Sequence, residues 1–176
     1  RLIYLKILFF ILTNPVFAQL NNTCDWSVTA STGNATIAIL TENFNSFLLE
    51  TPGYDPVSVS AISCSASIGV FYTNDDGVLA CAGYTEWLPS ENMGFAAWGD
   101  DPTTTEKDGF ATGEEYFFKL CIDGVGVYDQ SLLTMATESK FSNTYATNAF
   151  ASILELVFSI NSQDFYDITV GCAPIN

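Results

Sequence analysis

The sequence predicts an all-β fold, an antiparallel β-sandwich of jelly-roll-like or immunoglobulin-like form with about eight to ten strands. Two observations support this prediction. Short runs of β-branched and aromatic residues recur along the chain, and clusters of Gly, Pro, Asn, Asp and Ser separate them. No such run alternates with a long helical pattern, so a parallel α/β sheet is disfavoured.

The predicted strands follow one another at short intervals. Residues 56–62, PVSVSAI, alternate Val57, Val59 and Ala61 with serines, a pattern typical of a strand with one buried and one wet face. The other predicted strands are 25–30, 34–40, 67–73, 78–84, 94–99, 115–121, a short pair around 124–128, and 165–170.

One segment is ambiguous between helix and strand. Residues 148–158, NAFASILELVF, contain a partial helical stripe that Asn148 could cap, formed by Ile153, Leu154, Val157 and Phe158. The same residues could form a buried strand. In an otherwise all-β chain we favour the strand, with one short helix near 148–158 as the alternative.

The N-terminal residues predict export. Residues 1–18 combine Arg1 and Lys6 with an apolar run and end in Val16-Phe17-Ala18, the pattern of a cleaved secretory signal. This segment is too short for a membrane span, and no later stretch of the mature chain qualifies as one. We therefore expect a secreted or cell-surface protein with a single domain over 19–170. The final GCAPIN, 171–176, would begin a linker or a following segment.

The charge excludes one large class of partner. The chain has 20 acidic and five basic residues, a net charge of −15, and without residues 1–18 only three lysines remain, which gives −17. A nucleic-acid-binding surface needs clustered Lys and Arg for phosphates, so nucleic acid is excluded as a partner. An anionic membrane surface is disfavoured for the same reason.

The chain has five cysteines and no histidine, and these counts limit the disulfides and metal sites that it can form. Disulfides are expected in an exported protein, and the odd count leaves at least one thiol unpaired within this chain. No two cysteines lie within five residues of each other, so a zinc site of closely spaced ligands is disfavoured. Spacing does not fix the connectivity. We take Cys24–Cys172, which would tie the two ends of the domain, as the candidate pair.

Residues 68–84, IGVFYTNDDGVLACAGY, place two adjacent carboxylates beside a glycine at 74–77. This could be half of a metal site, half of a catalytic acid–base pair, or a hairpin turn. Asn, Asp and Gly are the residues that tight turns require, so the hairpin is favoured. In that hairpin Thr73 would face Val78, and Val70 would face Cys81.

A second acidic stretch, residues 98–110, is a candidate calcium site. Its four carboxylates lie among threonine hydroxyls and loop carbonyls, which suits an ion that takes about six to eight oxygen ligands. The spacing does not match an EF-hand. The alternative is a solvated loop whose acids satisfy its own turns. The predicted ligands are Asp100, Asp101, Glu106 and Asp108.

The residue types present allow two alternative functions, a carboxylate enzyme and a carbohydrate-binding module. Without histidine, an enzyme would have to use carboxylates, as glycoside hydrolases do, and the candidates are Glu86, Glu91, Glu114 and Glu115. A carbohydrate-binding module would need exposed aromatic side chains near strand ends, and the candidates are Tyr84, Trp87 and Trp98. Aromatic side chains in a sandwich are more often part of the core.

Three segments together resemble a β-rich module of large surface proteins that Bacteroidetes-type bacteria secrete, often through the type IX pathway. The segments are 68–87, 95–120 and 141–158. The resemblance implies an exported surface module that sits beside other domains, and it supplies no activity and no functional residues. Cys121 departs from the pattern of its segment, so no disulfide pattern carries over.

Together these observations predict a non-catalytic extracellular structural or adhesive module of a larger secreted surface protein. Calcium would stiffen the 98–110 loop. Partners would be extracellular glycans or neighbouring domains of the same polypeptide. The alternatives are a carbohydrate-binding module and a carboxylate glycoside hydrolase.

Overall fold

The computed structural model describes residues 24–169, apart from the side chains of Asp167 and Thr169. The predicted signal 1–18, Cys172 and the segment 171–176 lie outside these residues. The strands are β1 Asn34–Ile39, β2 Phe47–Glu50, β3 Val57–Ser58, β4 Ala66–Thr73, β5 Leu79–Glu86, β6 Met93–Trp98, β7 Phe117–Ile122, β8 Gly126–Met135 and β9 Phe150–Ser159. Two 3-10 helices, Thr41–Ser46 and Val59–Ala61, and one α-helix, α1 Ser162–Thr169, complete the described elements.

The nine strands confirm the predicted all-β fold. They form one hydrogen-bonded sheet in the order β3-β2-β9-β8-β7-β4-β5, with β1 and β6 attached beside β9. Strand β8 joins the two halves, because its first residues pair with β7 and its last residues pair with β9. We call β5, β4, β7 and the start of β8 the β4 half, and the remaining strands the β9 half.

The sheet is mixed, whereas the sequence analysis predicted an antiparallel one. Strands β1 and β2 both run parallel to β9, one after the other along the same edge. The 3-10 helix Thr41–Ser46 separates them without reversing the chain. Strands β6 and β3 then pair antiparallel with β1 and β2. The parallel direction arises because about a hundred residues, not a hairpin, connect β1 and β2 to β9.

Several predicted elements differ from those observed. Residues 25–30 form no strand, and only Val57–Ser58 of the predicted strand 56–62 is extended. Residues 148–158 contain β9, so the favoured strand is confirmed and the alternative helix is wrong. The predicted closing strand 165–170 is wrong, because the chain there forms helix α1. Among residues 24–169, no helix is both long enough and apolar enough to cross a membrane.

Both halves of the sheet contribute to one hydrophobic core. Its largest fully buried side chains are Phe47, Phe110, Phe118, Phe158, Ile37, Ile39, Leu49, Ile68, Leu120, Ile122, Ile153 and Leu156. Helix α1 adds Phe165 and Ile168 to this core. Burial of this many large apolar side chains is the dominant stabilising term for the domain.

Candidate functional site

A non-strand segment crosses the outer face of the β4 half. Residues 24–33, which we call the strap, precede β1. The Trp26 ring lies directly over Gly69, where an added Cβ would come within 2.8 Å of the ring. Trp26 also contacts Phe71 and Tyr84 edge-to-face, at centroid distances of 5.2 and 6.0 Å. Edge-to-face pairs at these distances are favourable aromatic contacts.

A disulfide holds the strap in place. Cys24 bonds with Cys121 on β7, so the expected Cys24–Cys172 pair is wrong. The strap lies across the sheet face on which Cys121 points outward, and this brings the two cysteines together. Cys64 is also disulfide-bonded.

An aspartate lies beside this disulfide. Asp123 Oδ1 is 2.9 Å from Cys24 Sγ. A disulfide sulfur carries no proton, so this approach is a contact and not a hydrogen bond. Among the described residues, these are the side chains that form a metal-sized group of three, with Cys121 as the third member. With both sulfurs in a disulfide, the group offers no thiolate to a metal.

The predicted carbohydrate-binding aromatics do not form one platform. Trp87 is only 6% exposed and packs against Phe44 and Phe47 at centroid distances of 4.9 and 5.2 Å. It is a core residue, as aromatic side chains in sandwiches commonly are, so its predicted exposure is wrong. Trp98 is half-buried and lies on β6 in the β9 half. Tyr84 remains, 46% exposed on the outer face of the β4 half.

A β-bulge places Tyr84 on that outer face. Phe71 pairs with Cys81 but Val70 pairs with Gly83, so β5 carries one extra residue at this point. Beyond the bulge Tyr84 lies opposite Gly69 and shares its outward direction.

The strap and the β4 half together form a groove of about 290 Å³, which we call the strap groove. Its lining includes Trp26, Ser27, Thr29, Phe71, Cys81 and Asp108. Cys81 is the free thiol among the described cysteines. Burial raises the pKa of the Cys81 thiol to about 11, and the backbone of Gly83 offsets this only in part. The thiol also donates a hydrogen bond to the Gly83 carbonyl, which favours its protonated form. The thiol is therefore protonated and unreactive at neutral pH.

The acids predicted to bind calcium hold the acidic loop, residues 98–110, in its fold. The Asp108 N–H donates to Asp100 Oδ1 at 3.0 Å, and the Asp101 N–H donates to Asp108 Oδ1 at 2.9 Å. The Thr103 N–H and hydroxyl both donate to Asp101 Oδ1, and these bonds lower the pKa of Asp101. Glu106, the fourth predicted calcium ligand, lies outside this hydrogen-bond network and is exposed.

Three of the four predicted calcium ligands, Asp100, Asp101 and Asp108, therefore serve mainly as acceptors for backbone N–H groups. Among residues 24–169, they do not form a group of three ligand atoms within 4.8 Å of one another. Calcium binding by this loop stays a prediction.

The turn at 74–77 is a hairpin turn that rests on the acidic loop. Asn74 Oδ1 accepts hydrogen bonds from the N–H groups of Asp76 and Val78, and Gly77 adopts a φ of 74°. Asp75 Oδ2 accepts a hydrogen bond from the Lys107 N–H at 2.8 Å. The register differs by one residue from the predicted one, since Thr73 pairs with Leu79 and Phe71 pairs with Cys81.

Glu114 connects the same two loops. Its carboxylate forms an ion pair with Lys107 Nζ at 2.8 Å and accepts hydrogen bonds from the N–H groups of Thr73 and Ala111. Burial raises the pKa of Glu114, but the bonds from Lys107, Thr73 and Ala111 outweigh burial and hold the pKa below its ordinary value. A general acid in glycoside hydrolysis needs a raised pKa, so Glu114 does not suit that role.

A second groove, of about 470 Å³, lies on the other side of the acidic loop. We call it the tyrosine groove. Its lining includes Thr32 and Gly33 of the strap, Asp100 of the acidic loop, and Tyr145. Tyr145 stacks on Phe110 at a centroid distance of 5.4 Å with only 12° between the ring planes. No sequence motif predicted this groove, because its lining residues come from four segments that are far apart in the chain.

Comparison with known proteins gives no relative for this chain: no family model, no curated protein and no solved structure matches it.

Proposed function

We propose that this chain is a non-catalytic extracellular module that serves a structural or adhesive role in a larger secreted surface protein. The observation that carries the proposal is the use of its carboxylates. Asp75, Asp100, Asp101, Asp108 and Glu114 all accept hydrogen bonds from loop N–H groups, and Glu114 is also ion-paired. Carboxylates engaged in this way stabilise loops and are poorly suited to acid–base catalysis.

The covalent structure supports an extracellular location. The Cys24–Cys121 disulfide fixes the strap, and such bonds persist in oxidising compartments. The predicted secretory signal and the resemblance to Bacteroidetes-type surface modules point to the same compartment. Neighbouring domains of the same polypeptide are the expected structural partners.

Carbohydrate binding is the second candidate function, and the strap groove favours it. Trp26 and Phe71 line this groove together with the hydroxyls of Ser27 and Thr29 and the carboxylate of Asp108. Tyr84 contacts Trp26 beside the groove and adds an exposed aromatic ring. Aromatic faces that contact the C–H groups of a sugar ring, combined with polar groups that bind its hydroxyls, are the two elements that sugar recognition needs. In this candidate function Trp26 takes the ligand-binding role that the sequence predicted for Trp87 and Trp98.

A glycan array with the purified chain tests both statements. We expect retention of a neutral glycan, weakened roughly threefold to tenfold by Tyr84→Ala through loss of an aromatic contact. The matched control is Phe150→Ala, which removes an equally exposed aromatic side chain from β9. Equal retention by the wild type and both variants would count against the strap groove, and release of reducing ends from a bound glycan would overturn the non-catalytic proposal.

A further inference from the structure

The tyrosine groove contains a buried hydroxyl that has no partner. Tyr145 is 2% exposed, and its hydroxyl makes no hydrogen bond to any described residue. A buried hydroxyl without a partner is unfavourable, and a group that supplies the missing hydrogen bond recovers that loss. The hydroxyl lies against Gly99, which itself lines the groove, and an added Cβ on Gly99 would come within 2.0 Å of it.

The size of the groove suits a small ligand. Its volume of about 470 Å³ falls within the range of roughly 300–1,000 Å³ that is usual for small-molecule sites. The strap groove, at about 290 Å³, lies just below that range. Phe110 and Tyr145, which stack on each other, both line the tyrosine groove.

The charge and polarity of the lining define the chemical class of the ligand. The described lining residues include no lysine or arginine, and Asp100 contributes a carboxylate of which one oxygen is bonded to the Asp108 N–H. An anion would therefore be repelled. Thr32, Thr112 and Thr147 add hydroxyls that can both donate and accept hydrogen bonds. An uncharged ligand rich in hydroxyls matches this lining.

We infer that the tyrosine groove is a second binding site, separate from the strap groove, and that it takes one or two neutral sugar residues. The Tyr145 hydroxyl bonds a sugar hydroxyl, Asp100 accepts hydrogen bonds from sugar hydroxyls, and the threonines complete the rim. The inference rests on the proposed carbohydrate binding and extends it to a second groove. Binding in the two grooves is independent, so the loss of binding in one groove does not imply its loss in the other.

Nuclear magnetic resonance titration of the isotope-labelled chain with cellobiose, maltose and lactose tests this inference. We expect at least one of these disaccharides to shift the amide signals of Gly99, Thr112 and Thr147, and we expect glucuronate, as an anionic probe, to leave them unchanged. Tyr145→Phe should weaken the binding about tenfold by removing the hydroxyl that bonds the sugar. Tyr84→Ala, which removes the ring that contacts Trp26 beside the strap groove, should leave these shifts intact.

Folding of the Tyr145→Phe variant can be checked separately. Because the hydroxyl has no partner among residues 24–169, the variant should melt at the same temperature as the wild type or higher. Absence of shifts at Gly99, Thr112 and Thr147 with all three disaccharides would overturn the second site. Shifts there that Tyr145→Phe does not weaken would overturn it too. Shifts confined to Trp26, Tyr84 and their neighbours would support the strap groove alone.

Discussion

Gly83 allows the two ends of the curled sheet to meet. It lies on β5, the edge strand of the β4 half, and a Cβ added there would come within 1.8 Å of the Ala96 carbonyl oxygen on β6. That oxygen belongs to the backbone of the β9 half, so it cannot move aside as a flexible side chain could. Only a residue without a side chain therefore fits at this contact between β5 and β6.

Gly83→Ala should therefore destabilise the domain. Forcing the two strands apart should lower the free energy of unfolding by about 1–3 kcal/mol, the range typical of overpacking. Gly94→Ala is the matched control, because its added Cβ meets nothing closer than 3.7 Å. Urea denaturation of both variants measures the difference. Similar unfolding free energies for the two variants would contradict the role of Gly83 in closing the sheet.

Single aromatic residues show what the sequence could predict and what it could not. Composition predicted an aromatic-rich core, and Trp87 belongs to it. The position of Trp26 depends on Gly69, since only a residue without a side chain lets the Trp26 ring lie on β4. That contact joins segments more than forty residues apart, and no local pattern records it.

Helix α1 shows the same limit for an element. Residues 165–170 alternate as a strand would, but Asn161 Oδ1 accepts hydrogen bonds from the N–H groups of Gln163 and Asp164 and so caps a helix. Phe165 and Ile168, three residues apart, then face the core together. The capping residue was visible in the sequence. The two-residue alternation of residues 165–170 nevertheless favoured a strand over a helix.

The hairpin between β4 and β5 was the most predictable element. Its turn residues and flanking apolar runs are adjacent in the chain, so the local signal sufficed. The one-residue difference in register arises in the turn, where the Asn74 N–H donates to the Val78 carbonyl and Thr73 pairs with Leu79. The bulge between Val70 and Phe71 then shifts the register by a second residue. A bulge of this kind adjusts strand twist to the rest of the sheet, and that requirement is not local.

Glu114 joins the β4–β5 turn to the acidic loop, and this link should depend on pH. Its folded-state pKa lies below the ordinary value of 4.5, so the stabilisation is complete above that value and is lost as the pH falls through the folded-state pKa. At neutral pH, Glu114→Gln should lower the free energy of unfolding by about 1 kcal/mol, a modest value because the pair is partly exposed.

Denaturation of Glu114→Gln and the wild type across an acid pH series measures this effect. The difference between the two proteins should shrink as the pH falls below the ordinary carboxyl range. Glu115→Gln is the control, because its exposed neighbouring carboxylate has no ion pair among those found in residues 24–169. A difference that stays constant with pH would show that the charge of Glu114 does not hold the loops together.

At the scale of the whole molecule, the fold class followed from the sequence but the topology did not. Hydrophobic alternation and turn residues were enough to predict an all-β chain. The parallel pairing of β1 and β2 with β9, and the passage of β8 from one half to the other, depend on contacts between distant segments. Both grooves are built from such contacts, so their composition could not be predicted from any one stretch of residues.

The Cys24–Cys121 disulfide links the strap to the whole domain, and its loss should affect both stability and binding. The bond closes a loop of 97 residues, and removing a disulfide of this kind lowers the free energy of unfolding by about 2–5 kcal/mol. The variant Cys24→Ser with Cys121→Ser should show this loss in urea denaturation. Cys81→Ser, which alters a half-buried free thiol, is the control and should change stability much less.

The same pair of variants separates the strap from the rest of the fold. Without the disulfide only packing holds Trp26 on Gly69, so chymotrypsin should cut after Trp26 in the double variant and spare it in Cys81→Ser. The strap lines both grooves, and its release should reduce glycan retention at both. A double variant that resists chymotrypsin at Trp26 and retains its stability would show that aromatic packing alone fixes the strap.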